Sequence, residues 1–224
     1  VAGMFISFGS MVAFVLGQTM DGNGAAAAVK LIQSVAFASA LSLVVMAGAE
    51  LFTGNNLVMA AASLRKKVSW ADTVKLWCVC WIGNLIASLL CVVAFQLTGL
   101  PTAGDGAIAD YFIKISSAKV SLGVGQILVR AILCNILVCL AVWCATKMKT
   151  ESGKLIMIFW CILIFMTCGF EHSIADMSII GIGVANGGIA VGQYLYTVLL
   201  ATVGNIIGGA VFVAVPYHVI SKEK

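Results

Sequence analysis

Residues 48–56 read Gly48-Ala49-Glu50-Leu51-Phe52-Thr53-Gly54-Asn55-Asn56, and residues 168–176 read Cys168-Gly169-Phe170-Glu171-His172-Ser173-Ile174-Ala175-Asp176. Each is a polar cluster inside a long apolar stretch, and each places a glutamate after a small or aromatic neighbour. Further along, Gly83-Asn84-Leu85-Ile86-Ala87 and Gly204-Asn205-Ile206-Ile207-Gly208 form a second matched pair. The separations Glu50 to Asn84 and Glu171 to Asn205 are both 34 residues. Two local matches in the same register point to a duplicated unit, because an accidental match would have to recur at the same spacing.

Around these clusters the chain is apolar. Of 224 residues, 62% are hydrophobic and 10% charged, and the mean hydropathy is +1.09. That leaves too few polar side chains to coat a water-soluble globule, so lipid is the expected solvent. A transmembrane helix needs about 20 mostly apolar residues, and six spans fit: 1–20, 29–64, 69–98, 118–146, 155–186 and 189–220. The second and fifth are too long for one simple crossing, and each contains one of the polar clusters. With prolines only at 101 and 216, these interruptions are not proline kinks. They are expected to be helix breaks held by protein rather than lipid.

A unit of three spans is odd, so its second copy enters the membrane in the opposite sense. The expected fold is an all-α integral membrane protein, six helices arranged as a 3+3 inverted repeat with spans two and five broken. It forms a single transmembrane domain over 1–224, with halves of about 1–98 and 118–222. Gly204 and Gly208, and Gly83 with Ala87, are expected to let spans six and three approach their neighbours closely.

Lysine and arginine near span ends set orientation. Arg65, Lys66, Lys67, Lys75, Lys147, Lys149, Lys154, Lys222 and Lys224 fall on one side, against Lys30, Lys114 and Lys119 on the other, with Arg130 inside span four. The richer side reads as cytoplasmic, which puts both termini there in a multi-pass protein of the cell (inner or plasma) membrane. All eight cysteines fall within spans, where a thiol behaves as a small apolar group. They have neither a disulfide framework nor zinc-site spacing. No metal, cofactor or nucleic-acid partner is expected. The chain opens on Val1 with no signal peptide, and a segment upstream is expected to be missing.

Glu50, Glu171 and His172 are ionisable at membrane depth, where an unpaired charge costs at least about 2.5–3.5 kcal/mol. Each glutamate reads either as part of a solvated pathway or as a cap accepting hydrogen bonds from backbone N–H groups freed by the break. Their matched placement suits the architectural task. His172 differs, because its counterpart in the first half is Leu51. An asymmetric histidine in a symmetric frame points to function: it can donate a hydrogen bond or a proton near neutral pH, and half-helix N-termini favour a small anion. Thr53, on the opposing break, is placed to bond the imidazole or the permeant species. Phe37 and Leu41, four apart, and Phe165, seven before His172, read as hydrophobic constrictions or as ordinary packing. Asn135 reads as a site residue or a helix–helix hydrogen bond, and His218 as interfacial.

These motifs, together with Asn135-Ile136-Leu137-Val138-Cys139-Leu140-Ala141-Val142-Trp143, resemble the formate/nitrite transporter family, which also includes hydrosulfide channels. The resemblance covers nearly the whole chain. It implies an aquaporin-like six-helix protomer, a homopentamer with one pore per protomer, and passive or proton-coupled passage of small monovalent anions. It implies His172 as the central pore histidine, Thr53 as its partner and Asn135 as a neighbouring hydrogen-bonding residue. Phe37, Leu41, Leu51, Val138 and Phe165 take constriction positions, Lys119 a basic place near the outer mouth, and Glu171 that of the carboxylate beside the histidine. Set against the family pattern, the amphipathic N-terminal helix and the beginning of span one are expected to be missing ahead of Val1.

Formate, nitrite and hydrosulfide are conjugate bases of weak acids, so protonation at His172 serves each. The eight intramembrane thiols lean the choice towards hydrosulfide or formate. The expected partners are therefore small monovalent anions, protons, the lipid bilayer and further copies of the chain. A water or glycerol channel is disfavoured, since no Asn-Pro-Ala motif occurs. An intramembrane enzyme using Glu50, Glu171 and His172 as acid–base groups is the alternative, although no nucleophile–base pair is identifiable.

Overall fold

The computed structural model describes residues 1–221, so Lys222 and Lys224, counted above on the basic side, lie outside the described residues. Among the described residues the fold is all-helical. The elements are α1 (Ala2–Gly22), α2 (Ala26–Met46), α3 (Phe52–Leu64), α4 (Trp70–Leu97), α5 (Ala107–Val120), α6 (Val124–Lys147), α7 (Glu151–Cys168), α8 (Ser173–Ala185), α9 (Val191–Ile206) and α10 (Val215–Ile220). A wide π-type turn over Ile207–Ala214 joins α9 to α10 without interrupting the helix. Six helices are long and apolar enough to cross a membrane: α1, α2, α4, α6, α7 and the continuous Val191–Ile220. Their outward faces carry Val79, Ile86, Leu90, Leu97, Leu199 and Phe212, each more than half exposed. An apolar surface this extensive is at home in lipid or against another copy rather than in water.

Residues 47–51 and 169–172 are non-helical, and their local chemistry explains why the chain stops and restarts there. Gly48 and Gly169 both have left-handed backbone, φ 71° and 69°, which a residue with a Cβ resists. Just beyond, Ala49 N–H donates to Val44 O at 2.9 Å and Phe170 N–H to Phe165 O at 3.0 Å, the closing bond of a Schellman turn. Leu51 and His172 then run extended before α3 and α8 begin. These paired positions stand 121 residues apart throughout, from 44 and 165 to 52 and 173.

Helices α1, α2 and α4 pack as one group and α6, α7 and α9 as another, with α2 against α7 between them. The short helices cross over: α8 lies against α1 and α4, while α3 lies against α6 and the π-type turn. Gly204 and Gly208 make the expected close approach, since a Cβ on either would run into the backbone of α6 at Leu128 or Ile132. Gly83 does not. It is exposed with nothing within 4 Å, and the tight contact on α4 comes from Gly3, where a Cβ would collide with Asn84 O. Residue 118, expected to open the fourth span, belongs instead to α5. Gly123 is extended and its N–H is taken by Gln126 Oε1 at 2.9 Å, so a new helix starts at Val124.

Candidate functional site

His172 is the N-cap of α8, and its own side chain completes the cap: Ala175 N–H donates to Nδ1 at 3.1 Å. Accepting that bond leaves Nδ1 without a proton, so the neutral ring carries its hydrogen on Nε2. Nε2 stands 3.0 Å from Thr53 Oγ1, the first turn of α3, so the imidazole N–H donates to the threonine hydroxyl. Thr53 keeps its own O–H as a free donor. A side chain from each break thus meets the other in a fully buried hydrogen bond.

Aromatic rings continue this row. Phe165 stacks on His172 with centroids 6.0 Å apart, and Phe37 meets Phe165 edge-on at 5.8 Å. Leu41, Leu51 and Val138 are buried in the same core. Asn135 Nδ2 donates to Thr53 O at 3.2 Å and Asn205 O at 2.6 Å, and lies 3.0 Å from Asn56 Oδ1. It ties α6 to α3 and α9 and fixes the backbone from which Thr53 projects.

The glutamates do not cap the freed backbone. Phe52 N–H donates to Asn84 Oδ1 at 3.0 Å, while Asn84 Nδ2 donates to Glu50 O at 3.2 Å. Ser173 N–H donates to Asn205 Oδ1 at 2.9 Å, while Asn205 Nδ2 donates to Glu171 O at 3.1 Å. An amide offers an acceptor and a donor together, so one asparagine satisfies both orphaned groups where a carboxylate could satisfy only the N–H. The equal 34-residue spacing signals this role, although the neighbouring glycines draw the eye first.

The glutamate side chains face two separate cavities instead. One, of about 780 Å³, is lined by Val1, Glu50, Asp72, Lys75, Cys80 and Asn84, and Asn55 Nδ2 donates to Glu50 Oε2 at 2.7 Å. It reaches neither His172 nor Thr53, so its size does not make it the site. The other, of about 220 Å³, is lined by Lys30, Lys119, Arg130, Glu171, His172 and Asp176. Lys119 Nζ donates to Glu171 Oε2 at 2.7 Å and stands 2.9 Å from Asp176 Oδ1. Asp176 is absent from the residues that sequence reasoning selects. Its signal is plain in retrospect: a third carboxylate at membrane depth, one helical turn after His172.

Such an arrangement joins a basic-rimmed cavity to a buried donor pair walled by aromatic rings, and it can attract and hydrogen-bond a small anion. Residues 1–219 match the protein-family model described as "Formate/nitrite transporter". The chain is 38% identical to the "Probable formate transporter" of Methanothermobacter thermautotrophicus, over 97% of this chain and 85% of the relative. It is 31% identical to the nitrite transporter NirC of Escherichia coli, over 97% and 80%. A solved structure described as a pentameric formate channel with formate bound superposes with a TM-score of 0.80 at 26% identity, covering 99% of this chain and 96% of that one. The chain therefore belongs to the formate/nitrite transporter family and is a multi-pass membrane channel or transporter for small anions, not an enzyme.

Proposed function

We propose that the chain carries small monovalent anions of weak acids, formate foremost, along a path past Thr53 and His172, with nitrite and hydrosulfide using the same path. The observation that carries this reading is the Thr53–His172 hydrogen bond, which joins the two breaks beside the lysine-lined cavity. The formate named for a 38% identical relative and for a structural relative supports the choice of anion.

Lys119 and the rim cations Lys30 and Arg130 draw the anion in. Phe37, Phe165, Leu41, Leu51 and Val138 then form an apolar constriction where a bare charge is costly. Thr53 O–H and His172 Nε2–H supply donors there, and His172 passes a proton to the anion so that it crosses as the neutral acid. Because Nδ1 is committed to Ala175 N–H, His172 rests neutral, and its protonated form is transient. Asn135 holds Thr53 in place through its carbonyl, and Glu171 holds Lys119 in the cavity beside the imidazole.

The same reading treats the chain as a 3+3 inverted repeat with two broken spans. The shared 121-residue offset, the Gly48 and Gly169 turns and the Asn84 and Asn205 clasps support it. Both termini face the cytoplasm by the lysine and arginine count, in the cell membrane. Five copies assemble, each with its own pore, and the exposed apolar faces of α4 and α9 are covered by lipid and by neighbouring copies. The test is stopped-flow uptake of formate, nitrite and hydrosulfide by proteoliposomes of the same preparation. Formate is expected to enter fastest. Entry of none of the three above the rate of empty liposomes would overturn the assignment.

A further inference from the structure

Asp176 lies one turn into α8, fully buried, and lines the smaller cavity with Glu171 and His172. Glu171 is 2% exposed and Lys119 16%, so one largely buried ammonium faces two buried carboxylates. The Lys119 contact with Glu171 is a hydrogen bond. The contact with Asp176 is close but off-axis, and neither Asp176 oxygen receives a well-aligned hydrogen bond from the described residues. The matched residue in the first half, 121 positions earlier, is Asn55, whose Nδ2 donates to Glu50 Oε2 at 2.7 Å. There an amide meets a carboxylate and the pair is complete. In the second half the amide is replaced by an acid, and a donor is missing.

We infer that Glu171 and Asp176 hold one transferable proton between them, which makes Asp176 a proton-binding residue of the anion path. Two carboxylates that share one site do not both ionise readily, and a buried carboxylate without donors is costly. One shared proton brings the Lys119–Glu171–Asp176 cluster from a net charge of minus one to zero and supplies the missing O–H donor. His172 is not the resting store, because its Nδ1 already accepts Ala175 N–H.

The inference rests on the proposed path past His172, and the proton balance is simple. The carboxyl O–H breaks as its proton passes to His172, the transient imidazolium gives a proton to formate so that an O–H bond of formic acid forms, and both carboxylates are left ionised against Lys119 until a proton from the aqueous side restores the pair. The other titratable groups around Asp176 are His172 on its own break, Cys134 of α6 and Tyr194 of α9. Lys30 of α2 and Arg130 of α6 line the same cavity, to which α1 contributes Phe14, and among the described residues α3 and α4 contribute none.

The full chain in lipid, studied by pH-difference infrared spectroscopy, tests this without requiring transport. The wild type is expected to show at neutral pH a carbonyl stretch from a protonated buried carboxylic acid. Asp176→Asn and Glu171→Gln should each lose it, since one carboxylate then pairs with Lys119 alone, while Asp176→Glu and His172→Asn should retain it. In formate flux, Asp176→Asn should fall below the wild type and lose much of its pH dependence, because no proton is then held in reserve beside His172. No such band in the wild type, or a band that survives in both Asp176→Asn and Glu171→Gln, would overturn the proton store. Loss of the band with an unaltered pH profile of flux would overturn its link to transport. A band that behaves as expected in a protein that carries no formate would sink the transport reading and leave the proton site standing.

Discussion

At the scale of single residues, His172 and Thr53 were both legible from the chain: one breaks the match between the two clusters, the other sits on the opposite break. Their partners were not legible. That Nδ1 of His172 would turn back onto Ala175 N–H follows from the extended backbone at the start of α8, which no motif encodes. Asp176 escaped notice for a related reason. Its importance comes from Lys119, 57 residues earlier in a helix that hydropathy does not reveal. The geometry makes a prediction for Thr53. Thr53→Val removes the acceptor of a buried N–H and should lower stability by about 1–3 kcal/mol, whereas Thr53→Ser should stay near the wild type. Thermal unfolding in detergent compares the three, and a Thr53→Val protein as stable as the serine variant would contradict the bond.

At the scale of elements, the six long apolar helices could be read directly from hydropathy, because length and apolar content decide whether a helix can span a bilayer. Helix α5 could not. Its residues are mixed in polarity, and only Ser121, Leu122 and Gly123 separate it from α6. The breaks show how a matched sequence becomes matched bonding: Asn84 and Asn205 each fasten the N–H that opens a short helix and the carbonyl of the preceding glutamate. Replacing either by leucine leaves both groups buried and unpaired. Asn84→Leu and Asn205→Leu are therefore each expected to cost about 1–3 kcal/mol per orphaned group, with similar losses in melting temperature. A large loss from one and none from the other would contradict the equivalence of the two breaks.

At the scale of the whole molecule, the uneven spread of lysine and arginine gives an orientation that labelling can check. In a background with exposed Cys78 and Cys168 replaced by serine, a cysteine at Lys149 should react with a membrane-impermeant thiol reagent only from the cytoplasmic side. A cysteine at Lys114 should react only from outside, and the reverse pattern would invert the proposed topology. Family membership adds what no intrachain distance supplies, the transport of small anions, while the structure adds a lysine-lined cavity ending at one buried imidazole, through which the proposed path runs.

The central claim is that the anion crosses the apolar constriction by taking a proton at His172. The measurement is formate flux into proteoliposomes of the wild type and His172→Asn across pH, with correct assembly of the variant verified first. A barrier higher by about 2.5–3.5 kcal/mol for a bare charge corresponds to roughly a hundredfold in rate. His172→Asn should fall by about that factor and lack the rise in flux expected of the wild type on acidification. Flux of wild-type size with the same response to pH would contradict the account.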